Sequence, residues 1–438
     1  MAGLPLAIEL AAAWVRVLSL PEIEVEIAQH LDFLANAMRD RPQRQRSIRA
    51  VFDHSWHLLS EEERAAFRKL SVFQGSFRPQ EAGQVSGASL PPLSALVDKS
   101  LLQRLPSGRY QLHELLRQYA REQLERMPGE EETARDLHCQ AYAVVLGRYQ
   151  QALKQAAHMP ILRLIGEEVE NAQAAWRWAI GQRNNEAIEA MHAGLADYYH
   201  LTTSFQEGET LFREALEDLG WLEGSEVHGL LPWKLLSSQA TFSVYLGRFS
   251  EARTSLESCL AVFARQGVQD EVAHCQFFLG EIARFDGDYL SARELFEESL
   301  AGYRQIGNRS AVGFCLNGLG LVCAALGELN PARSYLRDSL EMFKGIDHGL
   351  GQAIAGINLA DLLFKLGEYA ATKEILNEST LLCEQLGHRW GQATCVRTLG
   401  DITRLEGRDQ EAKAAYQESL RILQDIGQRQ ASTPYFSS

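Results

Sequence analysis

Residues 272–307 read VAHCQFFLGEIARFDGDYLSARELFEESLAGYRQIG. Apolar residues recur at helical spacing from Val272 to Phe285, where Asp286-Gly287-Asp288 supplies turn chemistry. A second amphipathic stretch runs from Tyr289 to about Gln305 and meets Gly307-Asn308, a helix stop. The segment thus predicts two antiparallel helices. Gly280 on the first and Ala292 on the second allow close approach, and Leu279, Phe296 and Leu300 are placed to fill the space between such pairs.

The pattern then recurs along the chain. Gly247, Gly287, Gly327, Gly367 and Gly407 stand 40 residues apart. Leu279, Leu319, Leu359 and Leu399 keep the same step, each followed by a small residue. Ala252, Ala292, Ala332 and Ala412 do so too, with Thr372 as the exception, and Leu256, Phe296, Leu336, Leu376 and Tyr416 follow them. A fixed period of this size marks a solenoid, in which each unit buries its face against its neighbours. A degenerate sixth unit is signalled by Gly208, Phe212, Ala215 and Leu216. Leu-Gly on the first helix, a turn glycine, then Ala and a large apolar residue resemble the tetratricopeptide repeat. The usual period of that repeat is about 34 residues, so 40 implies longer helices or loops.

This longer form, with its connectors Gly307-Asn308-Arg309 and Gly387-His388-Arg389-Trp390-Gly391, resembles the repeats of bacterial signal-transduction ATPases of the maltose-activator type (the STAND, NB-ARC-like group). Such arrays curve, and the resemblance puts the first helix of each unit on the concave side. The implied partner-binding positions are His274, Phe277, Glu281, Arg284, Asn317, Asp361, Arg397, Asp401 and Arg404. Glu281, Asp361 and Asp401 share one column, a partial carboxylate ladder suited to a basic or amide-rich peptide. A solvated face carrying ion pairs within each helix is the alternative.

Upstream, Ser60-Glu61-Glu62-Glu63 forms a capping box ahead of Phe67, Leu70 and Phe73. Helices are expected near Pro79–Val85 and Pro92–Lys99. Leu101–Leu105, the turn Pro106-Ser107-Gly108-Arg109 and Tyr110–Leu112 read as a β-hairpin. Helices followed by a hairpin make a winged helix. The words Phe52-Asp53-His54-Ser55-Trp56, Leu70-Ser71-Val72-Phe73 and Leu96-Val97-Asp98-Lys99-Ser100-Leu101 resemble that module in the same ATPases, where it acts as a nucleotide-coupled lever. Gly3-Leu4-Pro5-Leu6-Ala7 is on its own a helix start, where proline is structurally cheap. The family resemblance makes Pro5 the residue that packs on adenine. Leu112-His113-Glu114 resembles the Met-His-Asp motif, which makes His113 the contact to the β-phosphate of ADP; a helix N-terminus suits that anion. Glu168-Val169-Glu170-Asn171 through Trp176 resembles the helical linker that precedes such arrays.

The expected organisation is a helical remnant of a nucleotide-binding module over 1–40, a winged helix over 44–128, a helical linker over 129–185, repeats over 186–430 and a tail over 431–438. The fold class is mainly α, with a winged-helix module leading into an α-solenoid.

Composition fits this picture. Of 438 residues, 46% are apolar and 23% charged, as in ordinary globular proteins. No apolar run nears the length of about 20 residues that spans a membrane. Met-Ala-Gly-Leu-Pro lacks a secretory n-region, and seven cysteines form no metal or redox spacing. Cys275, Cys315 and Cys395 share a column and read as buried fillers, so a cytoplasmic location is expected. Residues 1–130 hold 16 Lys+Arg against 16 Asp+Glu, which leaves the whole net charge of −14 to the remainder. An acidic array repels phosphate backbones, so nucleic acid is an unlikely partner. The basic run Arg39, Arg41, Arg44, Arg46 and Arg49 reads as a solvated linker between modules, with a nucleic-acid contact as the minor reading.

No stretch fits Gly-x-x-x-x-Gly-Lys-Ser/Thr, and no catalytic constellation is visible. The chain is therefore expected not to be an enzyme and to hold no cofactor of its own, ADP or ATP entering only with an upstream nucleotide-binding core. The leading expectation is a regulatory portion whose repeats bind a protein, peptide or small inducer and whose winged helix couples to that core. A free-standing scaffold for protein partners is the alternative, and a DNA-binding winged-helix regulator the weaker one.

Overall fold

The computed structural model describes residues 48–153, 158–221 and 229–427. Among these residues lie nineteen α-helices and one small sheet. Contacts divide the chain into two units, Met1–Arg148 with Leu164–Ala193 and Tyr149–Arg163 with Gly194–Ser438. Pro5 and most of the basic run lie outside the described residues.

The first unit opens with α1 (Ile48–His57) and α2 (Glu61–Lys69). The capping box forms as expected: Ser60 Oγ accepts from the Glu63 N–H, and the Glu63 carboxylate accepts from the Ser60 N–H at 2.7 Å. A short 3-10 turn leads to β1 (Ser76–Phe77), then α3 (Pro79–Ser86) and α4 (Leu90–Asp98). The hairpin expected over 101–112 is shorter than its apolar pattern, with β2 at Gln103–Arg104 and β3 at Tyr110–Gln111. β1, which the sequence did not signal, pairs antiparallel with β3 to make a sheet of order β1-β3-β2. Phe67, Leu70, Phe73, Phe77, Leu93, Leu96, Leu115 and Tyr119 are buried. The Phe73 and Phe77 rings stack with centroids 4.1 Å apart. Then follow α5 (Glu114–Glu125), α6 (Pro128–Leu153), α7 (His158–Gly181) and α8 (Asn185–Leu201), of which residues 149–153, 158–163 and 194–201 belong to the second unit.

The second unit is a stack of helix pairs. The degenerate unit closes with α9 (Phe205–Asp218). Five regular pairs succeed it: α10 (Leu231–Tyr245) with α11 (Phe249–Gln266), α12 (Gln269–Phe285) with α13 (Tyr289–Ile306), α14 (Arg309–Ala325) with α15 (Leu329–Lys344), α16 (Gly349–Lys365) with α17 (Tyr369–Leu386), and α18 (Arg389–Leu405) with α19 (Asp409–Gly427). Every turn glycine of the 40-residue column has φ between 75° and 80°, a conformation a side chain resists. Close approach explains the small residues: a Cβ at Gly280 would stand 3.0 Å from the Phe296 ring.

Four of the five regular pairs carry a clasp between their helices. Ser299 Oγ donates to the Ala273 carbonyl at 2.8 Å, Ser339 to Gly313 at 2.8 Å and Ser419 to Ala393 at 2.8 Å. Cys259 Sγ does the same to Trp233 at 3.5 Å. Between pairs the core is continuous: Phe296, Leu300 and Tyr303 of α13 pack with Val312, Cys315, Leu316 and Leu319 of α14, and equivalent groups recur along the stack. All seven cysteines are buried as free thiols, as fillers should be.

Candidate binding face of the repeat array

First helices of successive pairs touch one another, α10 with α12, α12 with α14, α14 with α16 and α16 with α18, while contacts between second helices are sparser. The first helices therefore line the tighter side of the array. The nine positions drawn from the sequence fall in four columns on these helices, those of His274, Phe277, Glu281 and Arg284.

On α12 all four are turned inward or paired. His274 Nε2 lies 2.9 Å from Thr241 Oγ1, and its ring packs on Phe278 at 4.9 Å. Burial, with His200 nearby as a second cause, holds His274 down at about 4, so it is neutral at pH 7. Phe277 sits against Phe278 and Phe296. Glu281 is buried and takes a hydrogen bond from Arg284 at 2.9 Å, and the Arg284 guanidinium covers the Phe285 ring at 4.2 Å. On α14, Asn317 is buried and accepts from Asn358 Nδ2 at 3.0 Å.

Toward the far end the face opens. Asp361 pairs with Lys365 at 2.7 Å. Asp401 accepts from the Tyr416 hydroxyl at 2.8 Å and lies 3.4 Å from Arg397. Arg397 and Arg404 are exposed. Each carboxylate of the partial ladder thus has a cation three or four residues away on its own helix. The array offers a closed, aromatic-rich stretch at α12, half-buried Phe314, Leu321, Ile354 and Phe364 along α14 and α16, and a charged, open stretch at α18.

In the first unit His113 is the N-cap of α5, its Nδ1 accepting from the Leu115 N–H at 3.3 Å. Glu114 pairs with Arg117 at 2.7 Å. The linker motif acquires a physical meaning: Glu168 takes hydrogen bonds from Arg109 at 2.6 and 2.9 Å, while Asn171 donates to the Ser76 carbonyl and accepts from the Gln74 N–H. Arg49, the one described member of the basic run, lies 2.5 Å from Glu122.

The sequence reading missed a second ladder. Arg253, Arg293, Arg333 and Lys373 hold one column, each directly after the small residue of its second helix. Arg253 reaches Asp286 at 2.5 Å and Arg293 reaches Glu328 at 2.7 Å; Arg333 pairs with Glu368 and Lys373 with Glu406. The cations were visible as a 40-residue repeat, but their partners sit one to three residues past the next first helix, in no single column. Among the described residues, no cluster of His, Cys, Asp and Glu could hold a metal, and no helix is long and apolar enough to cross a membrane.

Residues 234–305, 277–345 and 352–425 match the tetratricopeptide repeat family. A Mycobacterium tuberculosis protein provisionally named as an HTH-type transcriptional regulator is 34% identical over 234 residues, covering 49% of this chain and 25% of that protein. An uncharacterized Mycobacterium bovis protein is 34% identical over 166 residues, 35% of this chain and 39% of that one. Among solved structures, a signal transduction ATPase with numerous domains (STAND) carrying a tetratricopeptide repeat sensor, from Pyrococcus horikoshii, matches with a TM-score of 0.52 at 17% identity, over 95% of this chain and 65% of that one. The chain spans a quarter to two fifths of the length of these curated relatives.

Proposed function

We propose that this chain is the sensing and regulatory portion of a STAND-type transcriptional regulator, binding a peptide or protein partner on the inner face of its repeats. In this reading the helix–strand–helix–helix–hairpin module of the first unit is a winged helix that passes the bound state to a nucleotide-binding core. His113 caps the helix at which an ADP diphosphate would arrive, so a phosphate contact falls to its Nε2. No step of catalysis is assigned to the chain.

One observation carries the reading: an inner face that is apolar in its middle and charged at its open end, on a stack whose helices are otherwise closed against one another. An extended peptide with apolar side chains and an acidic group fits that sequence of surfaces, the acid meeting Arg397 and Arg404. The test is fluorescence anisotropy of the purified chain against a library of labelled peptides of about ten residues. Peptides combining apolar residues with Asp or Glu should bind, and Arg397→Glu with Arg404→Glu should weaken them at least tenfold. Equal binding by both proteins would exclude the inner face.

A further inference from the structure

The pair α12–α13 departs from the repeat in two columns at once. Gly302 stands where the other second helices carry Val262, Met342, Leu382 and Ile422. Met342 and Leu382 pack on the apolar core, and Ile422 is fully buried. Gln276 stands where the other first helices carry Leu236, Leu316, Gly356 and Val396, none of them polar.

Packing does not demand the glycine. A Cβ at 302 would stand 3.0 Å from the Ala273 Cβ, a tight contact. Yet Ala353 and Ala393 hold the place of Ala273 in the pairs that carry Leu382 and Ile422. Glycine inside a helix also costs backbone entropy. At this place a groove of about 310 Å³ opens between α12 and α13, at the small end of the range that ligand sites occupy. Described pairs flank it on both sides, α10 with α11 before it and α14 with α15 after it.

The lining joins an apolar part to a pair of acceptors. Val272, Ala273 and Gly302 supply the apolar part. Gln276 Nε2 donates to Glu298 Oε2 at 2.7 Å, bridging the two helices. That bond leaves the Gln276 carbonyl oxygen and Glu298 Oε1 as neighbouring acceptors. Glu298 is the one ionic group on the lining; among the described residues no Lys, Arg or His joins it there. An anion finds no partner in such a groove, and a wholly apolar ligand would cover the acceptors without satisfying them. A primary alkylammonium satisfies both parts. Its hydrocarbon chain takes the ground of the missing side chain, and its three N–H donors meet the carboxylate and the amide oxygen.

We propose that this groove binds a primary alkylammonium group, with the alkyl chain on Val272, Ala273 and Gly302 and the ammonium on Glu298 and Gln276. None of the lining residues falls in the four columns of the inner face, so the site stands independently of the sensor reading.

The test is saturation-transfer difference NMR of the full chain with n-pentylammonium chloride, and with pentanoate and 1-pentanol as matched compounds. Pentylammonium should give a saturable signal at millimolar concentration, pentanol a weaker one and pentanoate none. Gly302→Leu, which restores a residue of the column, should abolish the signal. Glu298→Gln should weaken binding about tenfold or more. Glu298 is exposed, so this variant should keep the parent's circular dichroism and holds the test open even where Gly302→Leu disturbs the helix pair. A second arm separates two sources of the group: tighter binding of acetyl-Ala-Lys-Ala-amide than of pentylammonium assigns the site to a lysine side chain, and weaker binding assigns it to a free amine. No saturable signal, equal signals from pentanoate or pentanol, or binding untouched by both substitutions would each overturn the proposal.

Discussion

Arg109, at the end of the hairpin turn, and Glu168, on α7, hold each other through two hydrogen bonds of 2.6 and 2.9 Å with both side chains buried. The pair is further enclosed: Arg109 donates to Ser76 Oγ and the Ser76 carbonyl at 2.8 Å, and Glu168 also lies 3.1 Å from Arg78. Burying two charges is costly, so the pair need not add net stability, but leaving either one alone is worse. Glu168→Gln should destabilise the first unit by about 3–5 kcal/mol, whereas Arg109→Met with Glu168→Leu should recover most of that. Urea unfolding followed by tryptophan fluorescence, with Trp176 buried on the same helix as Glu168, measures both. If the single variant costs no more than the double, the pair is not acting as a closed unit.

A second prediction concerns the connector column that ends each unit. Gly267, Gly307 and Gly387 adopt φ of 70°, 75° and 69°, and Asp347 takes the same place with φ of 53°. A side chain in this region is strained, less for aspartate than for most, while glycine is not. Asp347→Gly should raise stability by about 0.5–1 kcal/mol, and Gly307→Ala should lower it by at least as much. Thr203 stands instead in the turn between the two helices of the degenerate unit, at φ of 56° with a β-branched side chain, so Thr203→Gly should help more. Thermal melts of the four proteins rank them.

The same geometry explains what the sequence made legible. A turn that needs positive φ narrows the choice to glycine, so five turns announced themselves as Gly247 through Gly407. Thr203 hid the sixth turn, and Gly208, Phe212 and Ala215 had to signal that unit instead. The tight helix approach at Gly280 and the fillers Cys275, Cys315 and Cys395 were legible for a similar reason, since only small side chains fit. Pairings across long sequence distance were not. Arg109 and Glu168 are 59 residues apart and belong to no repeat, and Asn358, the partner of Asn317, sits one place off its column. β1 is two residues long, too short for any alternation to show. For the binding face, the columns were readable, but whether a given member is exposed depends on neighbours such as Thr241 and Phe278.

The two repeating polar contacts should differ in worth. Ser339 Oγ is buried, and its loss leaves the Gly313 carbonyl without that partner, so Ser339→Ala should cost about 1–2 kcal/mol. Arg293 and Glu328 are 27% and 43% exposed, where solvent and salt screen the charges, and Glu328→Gln should cost under about 1 kcal/mol. Guanidinium denaturation is unsuitable because it screens the ion pair; urea melts at low and high salt separate the two. Salt should shift the Arg293–Glu328 difference and leave the serine difference in place.

Acid should loosen the array through its histidines, and the sign can be worked from their surroundings. Burial holds His200 and His274 down at about 4 in the folded state, against an ordinary 6.5. Between these values the unfolded chain binds protons that the folded chain refuses, so stability present above pH 6.5 is lost as pH falls toward 4. Glu271 acts in the opposite direction: burial, with Asp270 as a second cause, lifts its carboxyl to about 7, so its contribution grows as pH falls from 7 toward its ordinary range. Burial holds His388 down as well, so the histidines outweigh the one carboxyl, and the net loss from pH 6.5 to 4.5 should be about 1–3 kcal/mol. His274→Gln should flatten the slope while keeping a polar partner for Thr241, and Glu271→Gln should steepen it. Melting temperatures across pH 4.5–7.5 decide the matter: a profile that rises on acidification, or one indifferent to both substitutions, would show that the histidines are far better hydrated than their packing against Phe278 and Tyr245 allows.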